Sequence, residues 1–154
     1  MHPSPDISLA DWRAGLTSRS AEETMALAGN FLRHFPANTA LALHGDLGAG
    51  KTTFVQGLAR ALGITTPVTS PTYAIFSTYD SPSRQLVHMD AYRLGDPSEA
   101  DELVLWDLLR EPWTLVVEWP EKLGDRLPEG AWHLHLHIAA DRNHFLRLID
   151  CPSV

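Results

Sequence analysis

Between Gly45 and Thr52 the chain reads Gly-Asp-Leu-Gly-Ala-Gly-Lys-Thr, a complete G-x-x-x-x-G-K-[ST] string, and few folds can use such a string. It wraps a phosphate only where successive backbone N–H groups point into one concavity, with a strand running in and a helix running out. Both flanks comply. Thr39 to Leu43 is a short, almost wholly apolar run, the pattern of a parallel strand covered on both faces. After Lys51, the residues Phe54, Val55, Leu58, Ala59 and Leu62 mark one face of a helix that Gly63 can end in the left-handed conformation. Average composition would produce the string by chance only roughly once in a few hundred chains of this length, before its context is counted.

The remaining patterns extend this unit. Ser20-Ala21-Glu22-Glu23 reads as a capping box, and Ala21, Met25, Ala28 and Leu32 recur at helical spacing until Pro36, so a helix is predicted over about Ala21 to His34. Tyr73 to Tyr79 and Gln85 to Met89 predict two strands joined by the turn Asp80-Ser81-Pro82-Ser83 as an antiparallel hairpin. Ser98 is expected to cap a helix through about Leu109, and Trp113 to Val117 predicts a second buried strand closing on Glu118. Trp132 to Ile138 and His144 to Ile149 alternate, which predicts a final antiparallel pair with one face in the core. The expected fold is α/β, a P-loop NTPase-like three-layer sandwich with a mixed, largely parallel central sheet and antiparallel strands in the second half. With 154 residues and no repeat, linker or low-complexity tract, a single domain is expected, its core over about residues 17–150.

The loop chemistry follows from residue types. Gly48 and Gly50 are the tightest positions of a cradle that β-carbons would obstruct, and the helix starting near Lys51 aims its unpaired amides at the same anion. The ammonium of Lys51 reaches the β and γ phosphates, Thr52 offers a hydroxyl to magnesium bridging those oxygens, and Thr53 adds a further contact. Such a site needs an acid at a neighbouring strand end, and Leu115-Val116-Val117-Glu118 supplies one, able to hold the ion directly, to hold it through water, or to orient the attacking water. Asp90 ends another strand-like run. It is a candidate to hold a magnesium-bound water or activate the lytic water, or else to cap Ala91-Tyr92-Arg93, while His88, on the same face, packs or hydrogen-bonds.

Composition excludes several classes. A net charge of −7 disfavours a surface that grips nucleic acid along its length, so DNA is not an expected ligand and any tRNA is expected to be held by a partner. The single cysteine, Cys151, allows neither an intramolecular disulfide nor a thiolate metal cage, which suits a cytoplasmic setting. The first residues lack a basic n-region and an apolar h-region, and no apolar run approaches the roughly 20 residues of a membrane span, so neither secretion nor membrane insertion is expected.

Together, Gly45 to Thr53, Ser70-Pro71-Thr72-Tyr73, His88-Met89-Asp90-Ala91-Tyr92-Arg93-Leu94 and Glu118-Trp119-Pro120 closely resemble, in order, the motifs of the TsaE family. These are small bacterial P-loop ATPases that assist synthesis of threonylcarbamoyladenosine at position 37 of tRNAs reading codons that begin with A. The likeness spans about Ser20 to Arg147. It implies that Lys51 and the amides of Asp46, Leu47, Gly48, Ala49 and Gly50 bind the ATP phosphates with Thr53, that Thr52 and Glu118 bind Mg2+, and that Asp90 is needed for hydrolysis. It also implies a switch-like role for Ser70 and Thr72 near the γ-phosphate, a contact to ATP near Arg142, and docking on TsaD-like and TsaB-like subunits. Met89, Ala91 and Val104 depart from the family's usual phenylalanine, leucine and glycine, the last bearing on how Asp101 to Leu109 turns.

Other signals carry less. His133, His135 and His137 alternate as zinc ligands can, yet Leu134, Leu136 and Ile138 fill the opposite face, as in a half-exposed strand with polar residues outward. Trp106, Trp113, Trp119 and Trp132 read as core, with Trp119 a possible fluorescence reporter beside Glu118. Arg93 and Arg142 can approach the nucleotide phosphates, although solvated arginines are the commoner case. The rival enzyme class is a small P-loop kinase, which would share the loop but needs an acceptor pocket and usually an arginine-bearing lid; no lid is evident. A nucleotide-gated interaction module is the third reading.

Overall fold

The computed structural model describes residues 6–71, 75–102 and 104–152. Seven strands form one sheet in the order β1-β7-β6-β2-β5-β4-β3, with β1 at Leu16–Ser18, β2 at Thr39–His44, β3 at Phe76–Tyr79, β4 at Gln85–Asp90, β5 at Trp113–Glu118, β6 at Trp132–Ile138 and β7 at His144–Asp150. The middle is parallel: β2 pairs with β5 on one side and β6 on the other, and β5 pairs with β4. The flanks are antiparallel, through β3 on β4, β7 on β6 and β1 on β7. This is the mixed α/β arrangement expected from the run patterns.

Each face of the sheet closes its own core. On one side α2 (Ala21–Leu32) and α3 (Lys51–Ala61) cover Leu41 and Leu43 of β2 and Leu134 and Leu136 of β6, with Phe31, Phe54 and Trp12 fully buried between them. The two helices cross closely at Gly57, where a β-carbon would meet the Met25 backbone at 2.6 Å. On the other side, short helical turns and α4 (Leu105–Leu108) cover Val87, Met89, Leu115 and Val117. Met89 and Ala91 are both fully buried there.

Several local outcomes differ from expectation. Helix α1 (Leu9–Ala14) and strand β1 were not anticipated; Ser8 and Asp11 form a reciprocal capping box at the start of α1. Ser20 Oγ does accept the Glu23 N–H at 3.0 Å, while the Glu23 carboxylate lies 3.7 Å from Arg19. Helix α2 stops at Leu32, short of His34, because the chain tightens and the His34 N–H bonds to the Phe31 carbonyl three residues back.

The largest correction falls on the helix expected from Ser98 to Leu109. A 3-10 segment occupies Pro97–Glu102, and among the described residues of this stretch only Leu105–Leu108 is α-helical. Ser98 is not the cap: both its N–H and its hydroxyl donate to Asp96 Oδ1 at 2.8 Å. Further on, the indole N–H of Trp106 takes the Ala100 carbonyl, which a continuous α-helix would offer to residue 104. The antiparallel hairpin forms, with Ser81 Oγ donating to the Arg84 carbonyl in its turn, but its first strand begins at Phe76; Ile75 lies outside the strand, and Thr72, Tyr73 and Ala74 lie outside the described residues. No helix among the described residues is long and apolar enough to cross a membrane.

Candidate functional site

The sheet topology brings the phosphate loop and both acids to one edge. Strand β2 ends at His44, one residue before the loop, and Leu43 registers with Glu118 of β5, which in turn registers with Asp90 of β4. The C-terminal ends of parallel strands at a P-loop are where ligands of such sheets bind.

The loop is shaped by close backbone approaches. Gly45 sits at φ 149, and a β-carbon there would lie 2.3 Å from the Leu136 carbonyl of β6. The Ala49 N–H donates back to the Asp46 carbonyl at 3.1 Å, leaving Asp46, Leu47 and Gly48 exposed on the crest and Ala49 buried. Gly50 precedes α3 in the left-handed region at φ 102 and ψ 15. His144 Nδ1 donates to the Ala49 carbonyl at 2.7 Å, a contact that the alternating pattern of β7 does not signal.

Lys51 opens α3 and is 5% exposed, so its charge is held inside the loop and away from bulk water. Its ammonium donates to the Gly45 carbonyl at 2.6 Å and lies 4.1 Å from the Trp119 ring centroid, a cation–π contact. Trp119 takes a left-handed backbone, φ 57 and ψ 53, a conformation that costs a non-glycine residue roughly 1–2 kcal/mol. The Tyr92 ring also packs against Trp119, tilted, with ring centroids 5.1 Å apart. Trp119 is therefore part of the lysine's surroundings and not simply core.

Thr52 Oγ1 and Ser70 Oγ are 2.8 Å apart, so the fold joins the first turn of α3 to the Ser70-Pro71 segment. Thr53 is half-buried beside Thr52. Glu118 is 4% exposed and accepts a 2.5 Å hydrogen bond from Nε2 of His88, which is fully buried. Among the described residues the Nδ1 of His88 has no hydrogen-bond partner. Asp90 is half-buried, and its Oδ1 accepts the Tyr92 N–H at 3.0 Å, so the capping role is realised in the geometry.

Arg142 and Arg93 are exposed; Arg142 lies in the turn between β6 and β7, at φ 69, two residues before His144. Thr72 lies outside the described residues. His133 stacks on His44, with Nδ1 and Nε2 2.8 Å apart, and His135 and His137 follow it outward along a strand whose leucines face the core. Burial first, then the neighbouring His133, lowers the His44 pKa; His135 and Lys51 add to this and Glu121 opposes it. A cavity of about 400 Å³ opens between the loop and β6, lined by His44, Leu47, Trp119, Glu121, His135 and Ile138 among others.

The donors at the loop suit a phosphate and a hard cation. Among the described residues no three or more His, Cys, Asp or Glu side chains gather as a metal cage. Magnesium does not need one, since it is commonly held by one or two oxygen side chains together with substrate phosphates. Thr52, Glu118 and Asp90 carry such oxygens.

Comparisons with known proteins agree on one family. A family model described as threonylcarbamoyl adenosine biosynthesis protein TsaE matches residues 18–146. A Bacillus subtilis relative called tRNA threonylcarbamoyladenosine biosynthesis protein TsaE is 39% identical over 120 residues, covering 78% of this chain and 75% of its own. Relatives of the same description from Treponema pallidum (35% identity; 82% of this chain, 93% of the relative) and Mycobacterium bovis (35%; 84% and 83%) align similarly. The crystal structure of Bacillus YdiB superposes with a TM-score of 0.71 at 31% identity, covering 86% of this chain and 81% of that one.

Proposed function

The chain belongs to the TsaE family of threonylcarbamoyladenosine biosynthesis proteins, and from that premise we propose that it binds ATP with Mg2+ at Gly45 to Thr52 and hydrolyses it slowly in support of that tRNA modification. One observation carries the reading: a glycine cradle and a buried lysine stand at the start of α3, with Glu118 at the end of the neighbouring strand β5 and Asp90 at the end of β4 beyond it. Lys51 and the loop amides from Asp46 to Gly50 bind the phosphates, with Thr53 beside them. Thr52 and Glu118 hold Mg2+, which when bound supplies charge neutralisation at the phosphate oxygens.

Asp90 orients water at the γ-phosphate, while its Oδ1 accepts the Tyr92 N–H. His88 fixes the Glu118 carboxylate from behind, as outer-shell histidines do for metal-binding acids. Ser70, tied to the Thr52 hydroxyl, connects the neighbouring segment, including Thr72, to the state of the nucleotide. Arg142 reaches the nucleotide from the β6–β7 turn. The protein acts in the cytoplasm on a complex of TsaD-like and TsaB-like subunits, which hold the tRNA, consistent with its own charge of −7.

The test is Mg-ATP binding, followed by Trp119 fluorescence and calorimetry, together with phosphate release. Lys51→Ala should lower hydrolysis by roughly 10²-fold or more. Free phosphate appearing one-for-one with ADP separates an ATPase from a kinase. Modified adenosine should form on tRNA when the chain is combined with TsaD-like and TsaB-like subunits, and should fail with Lys51→Ala. A wild-type chain that neither binds Mg-ATP nor supports the modification would refute the reading.

A further inference from the structure

The Ala49–Gly50 peptide is held from outside the phosphate loop. His144 Nδ1–H donates to the Ala49 carbonyl at 2.7 Å, across 95 residues of sequence. His144 is the first residue of β7 and registers with Ser18 of β1 on one side and Ile138 of β6 on the other. Its backbone is thus fixed between two strands, while the group its ring touches belongs to a run of turn residues. Because a carbonyl only accepts, the hydrogen must sit on Nδ1.

A trans peptide is planar, with its C=O and N–H on opposite edges. Drawing the Ala49 carbonyl toward β7 therefore turns the Gly50 N–H away from β7. Gly50 is the N-cap of α3, next to the helix amides that have no partner within the helix. With φ at 102 and no β-carbon, it resists rotation of the preceding peptide less than any other residue would. A β-carbon at Gly50 would also lie 3.3 Å from His144 Nδ1, so the close approach of ring and loop uses the missing side chain.

We infer that His144 is a positioning residue for the phosphate loop: it locks the Ala49–Gly50 peptide in the orientation that aims the Gly50 N–H at a bound phosphate. Identification of that phosphate as part of ATP rests on the function proposed above; the lock itself does not.

Two substitutions in the full chain separate the donor from the ring. His144→Phe keeps a ring and loses the donor, while His144→Asn places its side-chain NH2 about where Nδ1 stood. The Phe variant should bind Mg-ATP roughly three- to tenfold more weakly, the range one neutral hydrogen bond spans, and the Asn variant should bind within about twofold of wild type. Urea midpoints of the protein without nucleotide serve to separate this loss from unfolding, and should stay together for the two variants. Nitrogen-15 spectra of the free protein should show the wild-type His144 ring as the Nδ1–H tautomer. They should also show the Gly50 amide broadened in the Phe variant and sharp in the Asn variant.

A Phe variant that binds like wild type, an Asn variant as weak as Phe, or a wild-type ring protonated only on Nε2 would each overturn the inference. Wild-type protein that binds no Mg-ATP sinks the nucleotide reading instead. The tautomer and the Gly50 line shape then decide the lock.

Discussion

His88 and Glu118 face each other with almost no water around them, and the pair shows how a buried acid is kept usable. A carboxylate that far from solvent is costly unless a donor reaches it. His88→Ala should therefore lower the unfolding free energy by about 3 kcal/mol in urea titrations, with His88→Gln, which retains a donor, losing less. His44 makes a different prediction. Its pKa is lowered in the folded chain, so below its ordinary value of about 6.5 the unfolded chain takes up protons more readily. Stability should be full above about 6.5 and drop as pH falls through the lowered value, and His44→Asn should flatten that part of the curve of urea midpoint against pH. Lys51, Thr52, Glu118 and Asp90 were legible because their chemistry is written as local strings beside apolar runs. The partners of Glu118 and Ala49 were not: His88 and His144 reach them only through strand registers, which no local pattern encodes.

At the level of elements, α2 and α3 meet so closely at Gly57 that the helix pair is set by a missing side chain. Gly57→Ala would gain helix propensity, yet its β-carbon would lie 2.6 Å from Met25 backbone atoms and 2.7 Å from Ala28 Cβ. The clash should win, lowering stability by about 1–3 kcal/mol and the thermal midpoint with it. The run pattern located β2, β4 and β5 as short stretches buried on both faces, and α3, β6 and β7 by the repeat of their buried face. It failed between residues 97 and 109, where Asp96 and the Trp106 indole take over groups that a continuous helix would use. It also passed over α1, whose six residues are too few for a repeat to stand out, although Ser8 and Asp11 carried a capping signal.

Across the molecule, the strand order places three-residue β1 and four-residue β3 at the sheet edges and β2 near the middle, paired in parallel on both sides. Amide hydrogen exchange should accordingly be fastest at residues 16–18 and 76–79 and slowest in β2 and β5, by mass spectrometry of peptic fragments. Equal protection of edges and centre would contradict this ordering. The mixed sheet was legible as a class because buried apolar runs and alternating runs differ in period. Its order was not, since β6 joins β2 only after the chain has crossed from residue 44 to 132. The same topology has a consequence in time. On a ribosome adding roughly 5–20 residues per second, Ala49 precedes His144 by about 5–20 seconds. During that interval the nascent chain carries a complete phosphate-loop sequence without the strand that braces it, and β1 waits for the same strand. Competence for nucleotide would thus arrive only once β7 has been made, and the growing chain would be spared from capturing ATP on a half-built sheet.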